Sequence, residues 1–135
     1  KQNNKGFLSK DITVNHLITN AGDVHHLFPK NYLKKNGFGK SQYNQIANFV
    51  YMQSEINIKV GDKPPSIYFN ELKEQANNGG LKYGGIKTME ELLDNLSQNA
   101  IPENIFDLGI DDYREFLKNR RLLMAKRIME YYFSL

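Results

Sequence analysis

His25 and His26 stand together in the string Asp23-Val24-His25-His26-Leu27-Phe28-Pro29, with Asn48 and then Asn57 downstream. Imidazole titrates near neutrality and is a common metal ligand, so two adjacent histidines can supply a general base and a coordinating nitrogen. Pro29, three residues after His26, fixes the backbone as it leaves the pair. By itself a His-His dipeptide is more often half-buried structure than chemistry. The two spaced asparagines tip the reading toward a site that handles a metal ion and a proton.

The order His26-x-x-Pro29, then Asn48, then Asn57 resembles the HNH, or His-Me finger, nucleases. In that family a ββα-metal finger grips one divalent ion beside a phosphodiester. Gly22 to Phe28 reads as the first strand, Phe49 to Met52 as the second, and Ile56 to Val60 as the start of the helix. A narrower likeness, to the C-terminal HNH domains of GmrSD-type phage-defence and restriction proteins, is carried by four stretches: His25 to Leu33, Tyr43 to Asn48, Asp62-Lys63-Pro64-Pro65-Ser66, and Tyr113 to Arg121. The resemblance covers roughly residues 20–70 and 101–133. It implies a metal-dependent DNA endonuclease of the bacterial cytoplasm that nicks or cuts duplex DNA, acts against foreign or modified DNA, and is joined to an N-terminal NTPase-like domain.

The same resemblance implies residue roles. His26 is the general base, and Asn48 braces the finger loop and orients that base. His25 and Asn57 are metal ligands, for one divalent ion such as Mg²⁺, Mn²⁺ or Ni²⁺. Glu55 and Asp23 match positions that are acidic in some relatives, so each is a ligand, a partner that holds an imidazole, or an ordinary surface acid. Successive residues of a regular strand face opposite sides, so His25 and His26 share a site only at a strand end or a distortion. Lys30, Lys34, Lys35, Lys59, Lys63, Arg120, Arg121 and Arg127 are charges suited to phosphate contact, and nothing resembles a base-reading helix or repeat. The lone His16 reads as structural. The rival from another class is a catalytically silent DNA-binding or docking module on the same scaffold. Three histidines and no cysteine make a structural zinc site a poor reading.

Composition sets the frame for these residues. A chain of 135 residues suits one domain with a real core. The expected fold is α+β: a ββα-metal (His-Me) finger at about 22–62, embedded in a mostly helical domain whose remainder spans 63–135. The absence of cysteine excludes disulfides and thiolate metal sites and suits a reducing compartment. No apolar run approaches the length of about 18 residues that a membrane helix needs, and no signal peptide is apparent. The chain begins at Lys1 rather than Met, which points to a domain of a longer protein or a processed product. Net charge is only +3 but uneven: residues 1–63 hold nine Lys and four acids, residues 88–115 one Arg and eight acids, and residues 116–135 five bases and one acid. Either the basic ends converge around the finger and meet phosphate, or these are solvated faces.

Local signals mark the remaining elements. Residues 1–6 look frayed. Pro64-Pro65 starts a helix through Tyr68, Leu72 and Ala76, and Asn77-Asn78-Gly79-Gly80 ends it. Gly84-Gly85 continues the loop. Thr88 and Glu91 form a capping box on a helix whose apolar side is Leu92, Leu93 and Leu96. Asp111 or Asp112 opens the longest helix, with Tyr113, Phe116, Leu117, Leu123, Met124, Ile128 and Tyr131 at helical spacing, most of them core.

Overall fold

The computed structural model describes residues 22–134, without the side chains of Asp23, Ser54 and Glu55. The frayed start at residues 1–6 and the structural reading of His16 lie outside the described residues. Among the described residues the architecture is mostly helical with one two-stranded antiparallel sheet, an α+β arrangement.

Strand β1 (Gly22–His26) pairs with β2 (Phe49–Gln53), with Gly22 opposite Gln53 and His26 opposite Phe49. Val50 and Met52 are buried while Phe49, Tyr51 and Gln53 are half-buried, the alternation expected of a sheet with one face on the core. Two short helices, α1 (Lys30–Lys35) and α2 (Lys40–Tyr43), and a tight turn at Ile46–Asn48 fill the connection. Helix α3 (Ser54–Val60) follows β2 without a loop, contacts both strands, and adds Ile56 and Val60 to the core that holds Val50 and Met52. It stops at Gly61, whose φ of +58° a side chain rarely tolerates.

The local signals downstream resolve as helices. Helix α4 (Pro65–Asn78) opens with Pro65, whose missing N–H costs nothing in a first turn, and ends at Gly79 in the left-handed region. Helix α5 (Met89–Gln98) is capped by Thr88, whose Oγ1 accepts the Glu91 N–H at 3.1 Å; the reciprocal bond from Glu91 goes to the Lys87 N–H at 3.0 Å, one residue before the cap. Helix α6 (Tyr113–Phe133) follows Asp112, whose Oδ2 accepts the Gly109 N–H at 2.9 Å.

The core runs between these elements and is rich in aromatic rings: Phe28 lies 4.8 Å from Phe116 and 5.1 Å from Tyr113, centroid to centroid. Two apolar expectations need correction. Leu92 and Leu96 are buried but Leu93 is exposed, because it points off the face that α5 turns inward. On α6 burial ends at Arg120, so Ile128 is 69% exposed although its spacing continues that of Tyr113, Phe116 and Leu117. Among the described residues no helix is long and apolar enough to cross a membrane.

Candidate active site

Asn48 organises the chain that follows His26. Its side chain is fully buried: Oδ1 accepts the Phe28 N–H at 2.8 Å, and Nδ2 donates to the carbonyls of Phe28 at 3.1 Å and Tyr43 at 3.2 Å. Its own carbonyl accepts the Leu27 N–H at 2.8 Å, the last link before β1 and β2 part. A carboxamide has one acceptor and two donors, so one residue satisfies both backbone groups of Phe28 and ties the loop from α2 to the same place. Asn48 thereby fixes the exit of β1, at whose last position His26 stands.

His26 is half-buried against two rings, 5.1 Å from Phe49 and 6.0 Å from Tyr43, both edge to face. Its Nε2 meets Asn44 Oδ1 at 2.8 Å. The Nζ of Lys30 sits 5.7 Å from the centroid of that same Tyr43 ring. Arg121, exposed on α6, donates to Gln45 Oε1 at 3.0 Å, and Tyr113 from the same helix donates its hydroxyl to Gln42 O at 2.7 Å. Burial pushes the Tyr113 hydroxyl up to about 12, against the opposing pull of Arg121. The segment 42–45 therefore gathers His26, Lys30 and Arg121: a base and two cations.

Directly opposed residues of an antiparallel pair share a face, and neighbours along a strand alternate. His26 shares its face with Phe49, whereas His25 lies opposite Val50, on the face turned to the core and to α3. The regular register thus sends the two imidazoles to opposite sides of the sheet. The Nε2 of His25 is shielded from solvent. Asn57 is half-buried on α3, next to Ile56, the residue by which α3 enters the core. His25 and Asn57 thus stand on two elements that touch, β1 and α3. Among the described residues no cluster of three or more His, Cys, Asp or Glu exists. Asp23 lies in β1 and Glu55 in α3, with their side chains outside the described residues.

Two of the expected phosphate-binding residues are committed elsewhere. Arg120 is only 4% exposed; it donates to the carbonyls of Ala47 at 3.0 Å, Phe49 at 2.5 Å and Asn99 at 3.0 Å, pinning β2 and the end of α5 to α6. Burial lowers its guanidinium to about 10, partly countered by Tyr68, and no carboxylate among the described residues pairs with it. A guanidinium enclosed in this way cannot reach a DNA backbone. Lys63 pairs with Glu71 at 3.1 Å and donates to the Tyr83 hydroxyl at 2.8 Å, joining α4 to the glycine-rich loop. Lys82 also pairs with Glu71 and is the main reason its carboxyl is held down to about 2.

Of the remaining charges, Lys34 and Lys35 are exposed at the end of α1 and Lys59 on α3. Arg127 is half-buried and donates to Ser97 O at 2.5 Å. Sequence reasoning gave Asn44 no role. It lies 18 residues from His26 with no periodic or motif signal linking the two, and it was legible only as part of the run Tyr43 to Asn48.

No family model matches the chain, and no solved structure matches it. The chain is similar to an uncharacterized protein of Methanocaldococcus jannaschii, with 27% identity over 124 residues, covering 78% of this chain and 20% of that protein. It therefore spans about a fifth of the length of the relative it matches.

Proposed function

We propose that this chain is an HNH-type endonuclease domain that hydrolyses phosphodiester bonds in DNA with one divalent ion, in defence against foreign or modified DNA. The observation that carries the reading is Asn48: buried, with two side-chain hydrogen bonds that hold Phe28, just beyond His26, and a third to the Tyr43 carbonyl. That is the bracing role the resemblance assigns to the middle asparagine. The order of strand, strand and helix, with His26 closing the first strand and Asn57 in the helix, supports it further.

In this reading His26 is the general base that takes a proton from water as the water attacks phosphorus. Lys30 and Arg121 draw the phosphate toward the base. His25 and Asn57 would hold the ion, which when bound would neutralise the scissile phosphate and stabilise the leaving oxygen. Recognition of particular DNA belongs to the NTPase-like partner domain, because the charges around the finger suit backbone contact rather than base reading.

Supercoiled plasmid incubated with the domain and Mn²⁺, Ni²⁺ or Mg²⁺ tests this. Conversion to nicked or linear DNA is expected, abolished by chelation and faster with Mn²⁺ or Ni²⁺ than with Mg²⁺, because a nitrogen donor and few charges suit the former. Plasmid that stays supercoiled under every metal would overturn the proposal.

A further inference from the structure

We infer that Asn44 is a positioning residue that fixes the tautomer of His26 and leaves Nδ1 as its basic nitrogen; this rests on the reading of His26 as the general base. The Asn44 Oδ1 stands 2.8 Å from His26 Nε2. An amide oxygen only accepts, so Nε2 must donate, and a neutral imidazole carries one N–H. The lone pair is then on Nδ1. Were the amide turned the other way, its NH₂ would occupy the Nε2 lone pair and the proton would sit on Nδ1, leaving the ring no basic nitrogen.

The backbone that carries the acceptor is held in place. The Asn44 N–H closes α2 on Lys40 O at 3.0 Å, and the carbonyl of the preceding Tyr43 is taken by the buried Asn48 side chain at 3.2 Å. The next residue, Gln45, donates to Ser41 O at 2.5 Å and receives Arg121 at 3.0 Å. The imidazole at the same time meets the rings of Tyr43 and Phe49 edge to face. With the ring in these contacts, Nε2 is turned toward Asn44, and Nδ1, on the other side of the ring carbon between them, is turned from it. The groups around the ring are the amide of Asn44 and the rings of Tyr43 and Phe49, with the ammonium of Lys30 over Tyr43 and the guanidinium of Arg121 beyond Gln45. In the hydrolytic step Nδ1 takes one proton from water while the water oxygen forms a bond to phosphorus. The bond from phosphorus to the leaving oxygen breaks, its electron pair departs with that oxygen, and solvent supplies the oxygen's proton.

The test is long-range ¹H–¹⁵N correlation of the ring nitrogens in the metal-free protein, together with plasmid nicking under Mn²⁺, for the wild type, Asn44→Ala and Asn44→Asp. In the wild type the neutral ring should be protonated on Nε2; in Asn44→Ala it should become a mixture of tautomers. Asn44→Asp, which keeps an acceptor in place, should restore the Nε2–H form. Removing a group that orients a reacting imidazole should cut kcat by about 10- to 100-fold, with KM unchanged and with unfolding like that of the wild type, since Asn44 is exposed. An Nδ1–H ring in the wild type, or a tautomer unaltered in Asn44→Ala, overturns the inference. So does an unchanged kcat in Asn44→Ala. Absence of nicking by the wild type while the tautomers behave as stated would instead refute His26 as a base, and with it the role of Asn44 in positioning one.

Discussion

Replacing Asn48 with alanine should cost far more stability than a typical polar substitution. The side chain is fully buried and satisfies the Phe28 N–H and the carbonyls of Phe28 and Tyr43. Alanine leaves all three without a partner. A stranded buried donor costs roughly 2 kcal/mol and each stranded carbonyl, with its second lone pair, roughly 1 kcal/mol. The sum of about 4 kcal/mol is a large share of the roughly 5 to 15 kcal/mol that holds a domain together. It corresponds to a fall in Tm of roughly 10 to 15 °C for a chain of this size.

Asn48→Asp sharpens the test. It keeps the shape and the acceptor for Phe28, but turns a carboxylate oxygen toward two carbonyl oxygens, so ionisation is disfavoured in the folded state. Its folded pKa is then raised above the unfolded value, and by linkage the deficit is greatest at neutral pH and shrinks as the pH falls through that raised pKa. Urea unfolding followed by circular dichroism, each variant compared with the wild type at pH 7 and pH 4.5, measures both effects. An Asn48→Ala protein within about 0.5 kcal/mol of the wild type, or an Asn48→Asp deficit that does not shrink in acid, would refute the reasoning.

Arg120→Met should lose about 2 to 4 kcal/mol, because the carbonyls of Ala47, Phe49 and Asn99 lose their shared donor; stability unchanged in urea unfolding would contradict its role as a clamp. Lys30→Ala should lower the slope of log affinity for duplex DNA against log salt by about 0.9, one phosphate contact, whereas a Lys63→Ala protein that remains folded should keep the wild-type slope, its ammonium being held by Glu71 and Tyr83; equal effects of the two would contradict the assignment. Glu71 is held at about 2 rather than the usual carboxylate value, so its stabilising contribution is present above about pH 4.5 and lost as the pH falls toward 2. The full linkage figure for such a shift is discounted for partial solvent access to about 1 to 2 kcal/mol. Glu71→Gln should therefore be less stable than the wild type at neutral pH, with the gap closing in acid, and a gap independent of pH would count against it.

The elements that were legible in the sequence are those set by local chemistry. Pro64-Pro65 and Gly79 bound α4 because a proline's missing N–H and a glycine's freedom act within one turn, and Thr88 with Glu91 opens α5 through bonds among near neighbours. Both strands were placed by the layout that the resemblance implies, and β1 ends two residues earlier than expected because Asn48 takes over the backbone of Phe28. What was not legible depends on partners far along the chain. Arg120 reads as a surface charge until the carbonyls of Ala47, Phe49 and Asn99 are brought around it. Lys63 belongs to a cluster closed by the loop that carries Tyr83. The exposed Ile128 shows the limit of periodicity, which marks a face of α6 but not where its neighbours end. For the same reason the pairing of His26 with Asn44 follows only from the fold.

The claim that His26 is the base of a phosphodiester hydrolase is tested most directly by nicking of supercoiled plasmid under Mn²⁺ by His26→Ala, beside a wild-type protein of equal concentration and matched circular dichroism. General bases contribute about 100- to 10,000-fold in rate, so the variant should fall by that much while its affinity for DNA stays near that of the wild type. A His26→Ala protein that nicks at the wild-type rate would contradict the claim.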